Sequence, residues 1–202
     1  MLSVISFSLI PEGLKLSSNI LVVIIGIILG IFLMLIIKKF FDNSSKLNLN
    51  NKSSNMEFLK TGLIICIGIA IHNIPEGLAI GAGFDNSNKL GFSIAIAICL
   101  HDIPEGVSMA LPMKIANIKN YKILVYVFLS GMCTMVGTII GYLLGTISSN
   151  VIAFCLSFSA GAMLYIVSGE LIPEYNKLYS GTVSAIANIF GFLIGLLGLL
   201  II

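Results

Sequence analysis

Long apolar runs, separated by short polar stretches, divide the chain. Six runs are full length: residues 19–37, 58–82, 90–112, 122–146, 150–175 and 181–202. Each is close to or above the roughly 20 residues that a helix needs to cross a bilayer. Many positions are β-branched, which in water would favour strands. In lipid the backbone must satisfy its own hydrogen bonds, so runs of this length predict helices. A seventh run, residues 1–14, is shorter. Its ten residues before Pro11 reach about 15 Å, half the hydrocarbon thickness. It has no basic leader and no small-residue cleavage site, so it does not read as a signal peptide. It reads as the second half of a helix whose first half is missing. The prediction is an all-α polytopic transmembrane helix bundle of about seven segments, forming one integral membrane domain over residues 1–202. Residues 41–57, rich in Asn, Ser and Lys, are predicted to be a mobile linker between the spans 19–37 and 58–82.

Composition agrees with lipid as the solvent: 57% of residues are hydrophobic and 10% charged, against about a quarter charged in soluble domains. Eleven lysines against nine acids leave +2, too little for a nucleic-acid surface. If the spans alternate, Lys38, Lys39, Lys46, Lys52, Lys60, Lys114, Lys119, Lys122 and Lys177 share one side, and only Lys15 and Lys89 the other. That asymmetry makes the first side cytoplasmic. It puts the 41–57 linker inside and the C-terminus outside, in a multi-pass protein of the cell membrane. Cys66, Cys99, Cys133 and Cys155 all fall within spans, where buried, reduced thiols are the simplest reading.

The tripeptide Ile-Pro-Glu occurs four times, at 10–12, 74–76, 103–105 and 172–174, and uses four of the five prolines. The two central copies extend to HNIPEG at 72–77 and HDIPEG at 101–106, and they contain both histidines of the chain. Residues four apart share a helix face, so His72 projects with Glu76 and His101 with Glu105. Two adjacent helices would then offer two imidazoles and two carboxylates, an N/O donor set suited to Zn²⁺ or another first-row divalent ion. Asn73 and Asp102 lie one position on, about 100° round the helix, where they would line a second, harder site. Pro75 and Pro104 cannot donate to the carbonyls of Ile71 and Leu100. Freed carbonyls at membrane depth persist only beside protein or a water-filled cavity. Gly77 and Gly106 are expected to permit close helix approach, and Gly137, Gly141 and Gly145 form a small-residue face.

An acid at mid-membrane costs roughly 2.5–3.5 kcal/mol. Glu76, Asp102 and Glu105 have no lysine at comparable depth, which favours an ion pathway over a structural salt bridge.

These motifs resemble the ZIP (Zrt-, Irt-like) family of divalent metal transporters, with support from SFSLIPEG at 6–13 and SAGAMLYIVSGELIPE at 159–174. The likeness is to the prokaryotic type. It implies an eight-helix fold, of which this chain lacks the first helix. It implies transport toward the cytosol, by alternating access around a binuclear site. Carried over by motif, His72, Glu76, His101 and Glu105 would bind the first metal. Asn73 and Asp102, with the bridging Glu76 and Glu105, would bind the second. Met1 falls where relatives carry a Met near the metal, and Met109 is a further pathway candidate, although Met109 and Met113 also suit packing.

Two departures from the family pattern bear on chemistry. The pattern Ser-Gly-x-x-Glu-Pro reads Ser130-Gly131-Met132-Cys133-Thr134-Met135 here, so Thr134 replaces a carboxylate ligand and weakens the second site. Gly169 stands where relatives have His before Glu170. Glu170 and Glu174 are read either as an exit relay or as solvated helix-end charges. Glu12, Asp85 and Lys89 suit solvated positions.

The transported substrate would be Zn²⁺, Cd²⁺, Fe²⁺, Mn²⁺ or Co²⁺, with no cofactor. The lipid bilayer is a partner, and the family resemblance suggests a homodimer. Two other functions compete with transport. An intramembrane metallohydrolase needs a metal-bound water and a general base, as in His-Glu-x-x-His, and that motif is absent, so the chain is not read as an enzyme. A non-transporting metal-binding or scaffold protein would bind metal without accumulating it.

Overall fold

The computed structural model describes residues 1–17, 19–46, 54–86, 88–144, 148–178 and 181–201. Among them there is helix and no strand. Helix α1 covers residues 2–16 and is broken: Leu2–Val4 is α-helical, Ile5–Leu9 is a π-turn, and Ile10–Leu16 is α-helical again. Four uninterrupted helices follow: α2 (Ile20–Lys46), α3 (Ser54–Asn86), α4 (Asn88–Ile115) and α5 (Asn120–Leu143). Helix α6 covers residues 149–178, with a π-turn at Ile166–Leu171 between Ser149–Tyr165 and Ile172–Leu178. Helix α7 is Thr182–Ile201.

These seven helices match the seven predicted segments. Within α2 to α6, five stretches are long and apolar enough to cross a membrane; in α7 the apolar stretch Thr182–Gly198 is shorter. Both ends of the expected 41–57 linker are helical. Residues 41–46 continue α2 and 54–57 open α3. The stretch 41–57 contains neither Gly nor Pro to stop a helix. Its middle, 47–53, lies outside the described residues. Lys60 of α3 pairs with Asp42 of α2 where the two helices leave it.

Two helices form the centre. In α3 and α6, 56% of the apolar window is buried by protein, against 17–25% in α2, α4 and α5. The exposed faces of α4, α5 and α7 carry Phe92, Ile96, Phe128, Leu143, Phe190 and Ile194, as suits a lipid-facing surface. Met34, Ile65, Ile69, Met109, Met113 and Ile166 form one apolar cluster between α2, α3, α4 and α6. A second joins Val4, Ile5 and Leu9 of α1 to Ala79, Leu156, Ala160 and Met163.

Glycines set two of the closest helix contacts. A Cβ at Gly77 would overlap the Thr134 carbonyl oxygen, one at Gly137 the Ile74 oxygen, and one at Gly81 the Thr138 oxygen. Helices α3 and α5 therefore touch backbone to backbone, as the expected small-residue face requires. Gly30 and Gly161 do the same between α2 and α6. Gly106 does not act this way: its nearest neighbour would be Val127 at 3.5 Å. Gly145 lies outside the described residues.

The four Ile-Pro-Glu copies fall into two kinds. Pro75 and Pro104 lie inside continuous α-helix. Before Pro11 and Pro173 the helix widens into a π-turn, which ends on the residue before each Ile. Ile10 then donates to the Ile5 carbonyl, and Ile172 to the Val167 carbonyl, each five residues back. All four prolines lack the N–H and crowd the preceding turn, yet only these two follow a widened turn.

Candidate functional site

The two central motifs face each other. His72 Nε2 lies 3.1 Å from Glu105 Oε2, with 0% and 1% of the side chains exposed. The histidine of the first motif thus meets the glutamate of the second, across the α3–α4 contact. Glu76 follows His72 by one turn on α3 and is equally buried. Glu105 Oε1 is buried and has no hydrogen-bond partner among the described residues. The side chain of His101 lies outside the described residues. Among the described residues, no group of three or more His, Cys, Asp or Glu is gathered closely enough to hold a metal ion. The structure therefore brings together His72 and Glu105 and places Glu76 beside them on α3.

Asn73 turns a different way. Its Nδ2 donates to the Ser130 carbonyl of α5 at 3.1 Å, while Oδ1 is buried without a partner among the described residues. Asn73 and Gly77 form one row on α3, facing Ser130 and Thr134 on α5. The Thr134 hydroxyl is also buried without a partner among the described residues. Asp102, one turn before Gly106 on α4, is partly buried. Consecutive residues 100° apart thus serve two contacts: His72 toward α4 and Asn73 toward α5.

Two hydroxyls hold α3 in place here. Ser159 of α6 donates to the His72 carbonyl at 3.0 Å, and Ser130 of α5 donates to the Cys66 carbonyl at 3.5 Å. The carbonyl of His72 neighbours that of Ile71, the one Pro75 cannot reach. Neither serine was singled out from sequence, because a serine in an apolar run gives no sign of what it will face.

Met109 is 3% exposed and Met113 is 0%, both packed in the apolar cluster. Met1 is partly buried and packs against both clusters. The cysteines are free thiols: Cys66 buried, Cys133 and Cys155 partly buried, Cys99 on an exposed face. Glu12 is exposed and pairs with Lys15 at 3.5 Å. Asp85 and Lys89 are exposed as expected.

At the lysine-rich end, Glu170 and Glu174 are buried, at 7% and 9% exposure. This overturns the alternative of solvated helix-end charges. Lys38 of α2, read from sequence only as an orientation marker, reaches Glu170 Oε1 at 2.7 Å. Glu174 lies on the wall of a small cavity shared with Thr61, Leu111, Pro112 and Tyr175.

A family model described as ZIP Zinc transporter matches residues 42–202. The chain belongs to the ZIP family. Similar proteins include Zinc transporter ZIP11 of Xenopus tropicalis, 39% identical over 139 residues, or 65% of this chain and 41% of that protein. Zinc transporter ZupT of Chlorobium chlorochromatii is 35% identical over 190 residues, covering 87% of this chain and 71% of ZupT. Zinc transporter GufA of Myxococcus xanthus is 36% identical over 118 residues, covering 58% and 46%. This ZIP-family chain thus spans about two-fifths of the length of the ZIP11 proteins it matches.

Proposed function

We propose that the chain moves divalent transition-metal cations, zinc foremost, across the cell membrane toward the cytosol. The observation that carries this is the buried His72–Glu105 pair, joining the two HxIPEG motifs across α3 and α4 in a ZIP-family chain. Zinc binds His nitrogen and carboxylate oxygen at about 2.0–2.2 Å, so two ligands of a tetrahedral ion stand about 3.4 Å apart. The pair is at 3.1 Å. A few tenths of an ångström of opening would let an ion take the place of the hydrogen bond between the two groups.

In this reading His72, Glu76, His101 and Glu105 hold the first metal, and Asn73 and Asp102 attend a second position weakened by Thr134. Glu170 and Glu174, buried at the lysine-rich end, receive the ion on its way out. The lysine asymmetry makes that end cytoplasmic and puts the C-terminus outside. Cd²⁺, Fe²⁺, Mn²⁺ and Co²⁺ share the donor preferences to differing degrees. A homodimer is supported only by the resemblance. Relatives bearing the words zinc transporter favour transport over hydrolysis.

Proteoliposomes loaded with a zinc-sensitive dye test this. The wild-type chain should accumulate zinc, and Glu105→Ala should not. Zinc bound to the protein without accumulation inside the vesicles would support the scaffold reading instead.

A further inference from the structure

The transport reading gives Glu170 a metal to receive but leaves Lys38 unexplained. Three observations meet at this point. Glu170 is almost fully buried, and its Oε1 lies 2.7 Å from Lys38 Nζ. The same ammonium donates to the Gly169 carbonyl at 3.4 Å. That carbonyl belongs to the π-turn before Pro173, which has no N–H to offer the carbonyls one turn back. A carboxylate oxygen and a carbonyl oxygen are thus presented side by side to one cation.

We propose that the Lys38 ammonium is a tethered stand-in for the transported cation, filling the Glu170–Gly169 oxygen pair until an arriving divalent ion displaces it. The proposal rests on the transport reading for its biological meaning, not for its geometry. A carboxylate this deeply buried is strongly disfavoured without a partner cation. The cation can be an ammonium or a metal ion, and the two compete for the same oxygens. Lysine suits the exchange. It is a compact charge on a flexible four-carbon stem, and here its side chain is 34% exposed, so it can swing toward the aqueous end when displaced. On departure of the metal it returns, and release does not leave Glu170 bare. Lys38 acts through Glu170 and is therefore a positioning residue, not a ligand. Asp42, one turn further along α2, does not compete for Lys38 as its main partner, because it is paired with Lys60.

Equilibrium dialysis of the purified full chain against radioactive zinc tests the competition directly. Lys38→Met should tighten one class of zinc binding by about tenfold or more, the worth of a hydrogen bond to a charged group. The gain should vanish in Lys38→Met/Glu170→Gln. Lys38→Arg keeps the cation and should bind zinc no more tightly than wild type. A merely structural role for Lys38 predicts the opposite sign, weaker binding in Lys38→Met. Unchanged or weaker binding in Lys38→Met, or a gain that survives Glu170→Gln, overturns the proposal. Should Lys38→Met not fold, Lys38→Arg decides. A guanidinium grips a carboxylate with two parallel bonds, so maximal uptake should fall several-fold at equal protein, and wild-type uptake would overturn the proposal. Failure of the transport reading is separable: wild-type vesicles would then bind zinc without accumulating it, while the dialysis arms still decide the role of Lys38.

Discussion

His72 Nε2 and Glu105 Oε2 stand 3.1 Å apart in the bundle interior although 33 residues separate them in sequence. The repeat is therefore a device for pairing across helices as well as along one. This gives a prediction that separates structure from transport. His72→Ala leaves Glu105 buried without its partner and should cost about 1–3 kcal/mol of stability. Adding Glu105→Gln removes the buried charge and should recover part of that loss. Zinc uptake should be abolished in both variants, since each lacks a proposed ligand. Thermal melting in detergent and uptake by the same preparations check it. Uptake returning along with stability in the double variant would show the pair to be structural.

The α3–α5 contact positions the HNIPEG segment of α3. Gly137 sits against the Ile74 carbonyl, within the HNIPEG segment itself. A side chain there must push α3 away from α5. Gly137→Val should destabilise the protein by about 1–3 kcal/mol or more through overpacking, and uptake should fall with it. Gly131 lies on the same helix and a Cβ there meets nothing within 4 Å. Gly131→Ala should be neutral or stabilising by about 0.5–1 kcal/mol. Equal melting shifts for the two variants would refute the contact.

How much of this was legible in the sequence depends on the kind of signal. The length of each apolar run was enough for seven helices, because lipid leaves the backbone few alternatives. The Gly137–Gly141 stripe and the HxIPEG pair were legible because spacing on a helix fixes direction. The His72–Glu105 contact needed the rotation of α3 against α4, which no single-helix pattern contains. The π-turns were not legible either: Ile-Pro-Glu is identical at 74–76 and 172–174, yet only the second follows a widened turn. Lys38 was legible as a charge near a membrane end, but its partner Glu170 lies on α6, far along the chain.

Thr134 offers a test of the second position. Its hydroxyl is buried opposite the Asn73 row and has no partner among the described residues. A neutral hydroxyl there is a poor ligand and supplies no negative charge. Protein dialysed at low zinc should retain about one metal per chain. Thr134→Glu should raise that to about two, with Asn73 and Asp102 completing the site. Metal analysis of dialysed protein decides it. Two metals retained by the wild type would mean that Thr134 does not weaken the second position.

Pro173→Ala tests whether the π-turn matters to the exit end. Alanine restores the N–H that proline lacks, and it relieves the clash with the preceding turn. The segment should then relax toward regular α-helix, gaining up to about 3 kcal/mol locally by the proline–alanine difference. Closing the turn removes one residue of bulge, which rotates everything before it by about 100° relative to everything after. Glu170 lies inside the turn, so its carboxylate should leave Lys38, and the Gly169 carbonyl should gain a backbone partner. The expected outcome is slower amide exchange over Leu171–Tyr175, by tenfold or more at that energy, together with reduced zinc uptake. Slower exchange with full uptake would mean that the widened turn is a by-product of proline and not a part of the exit path.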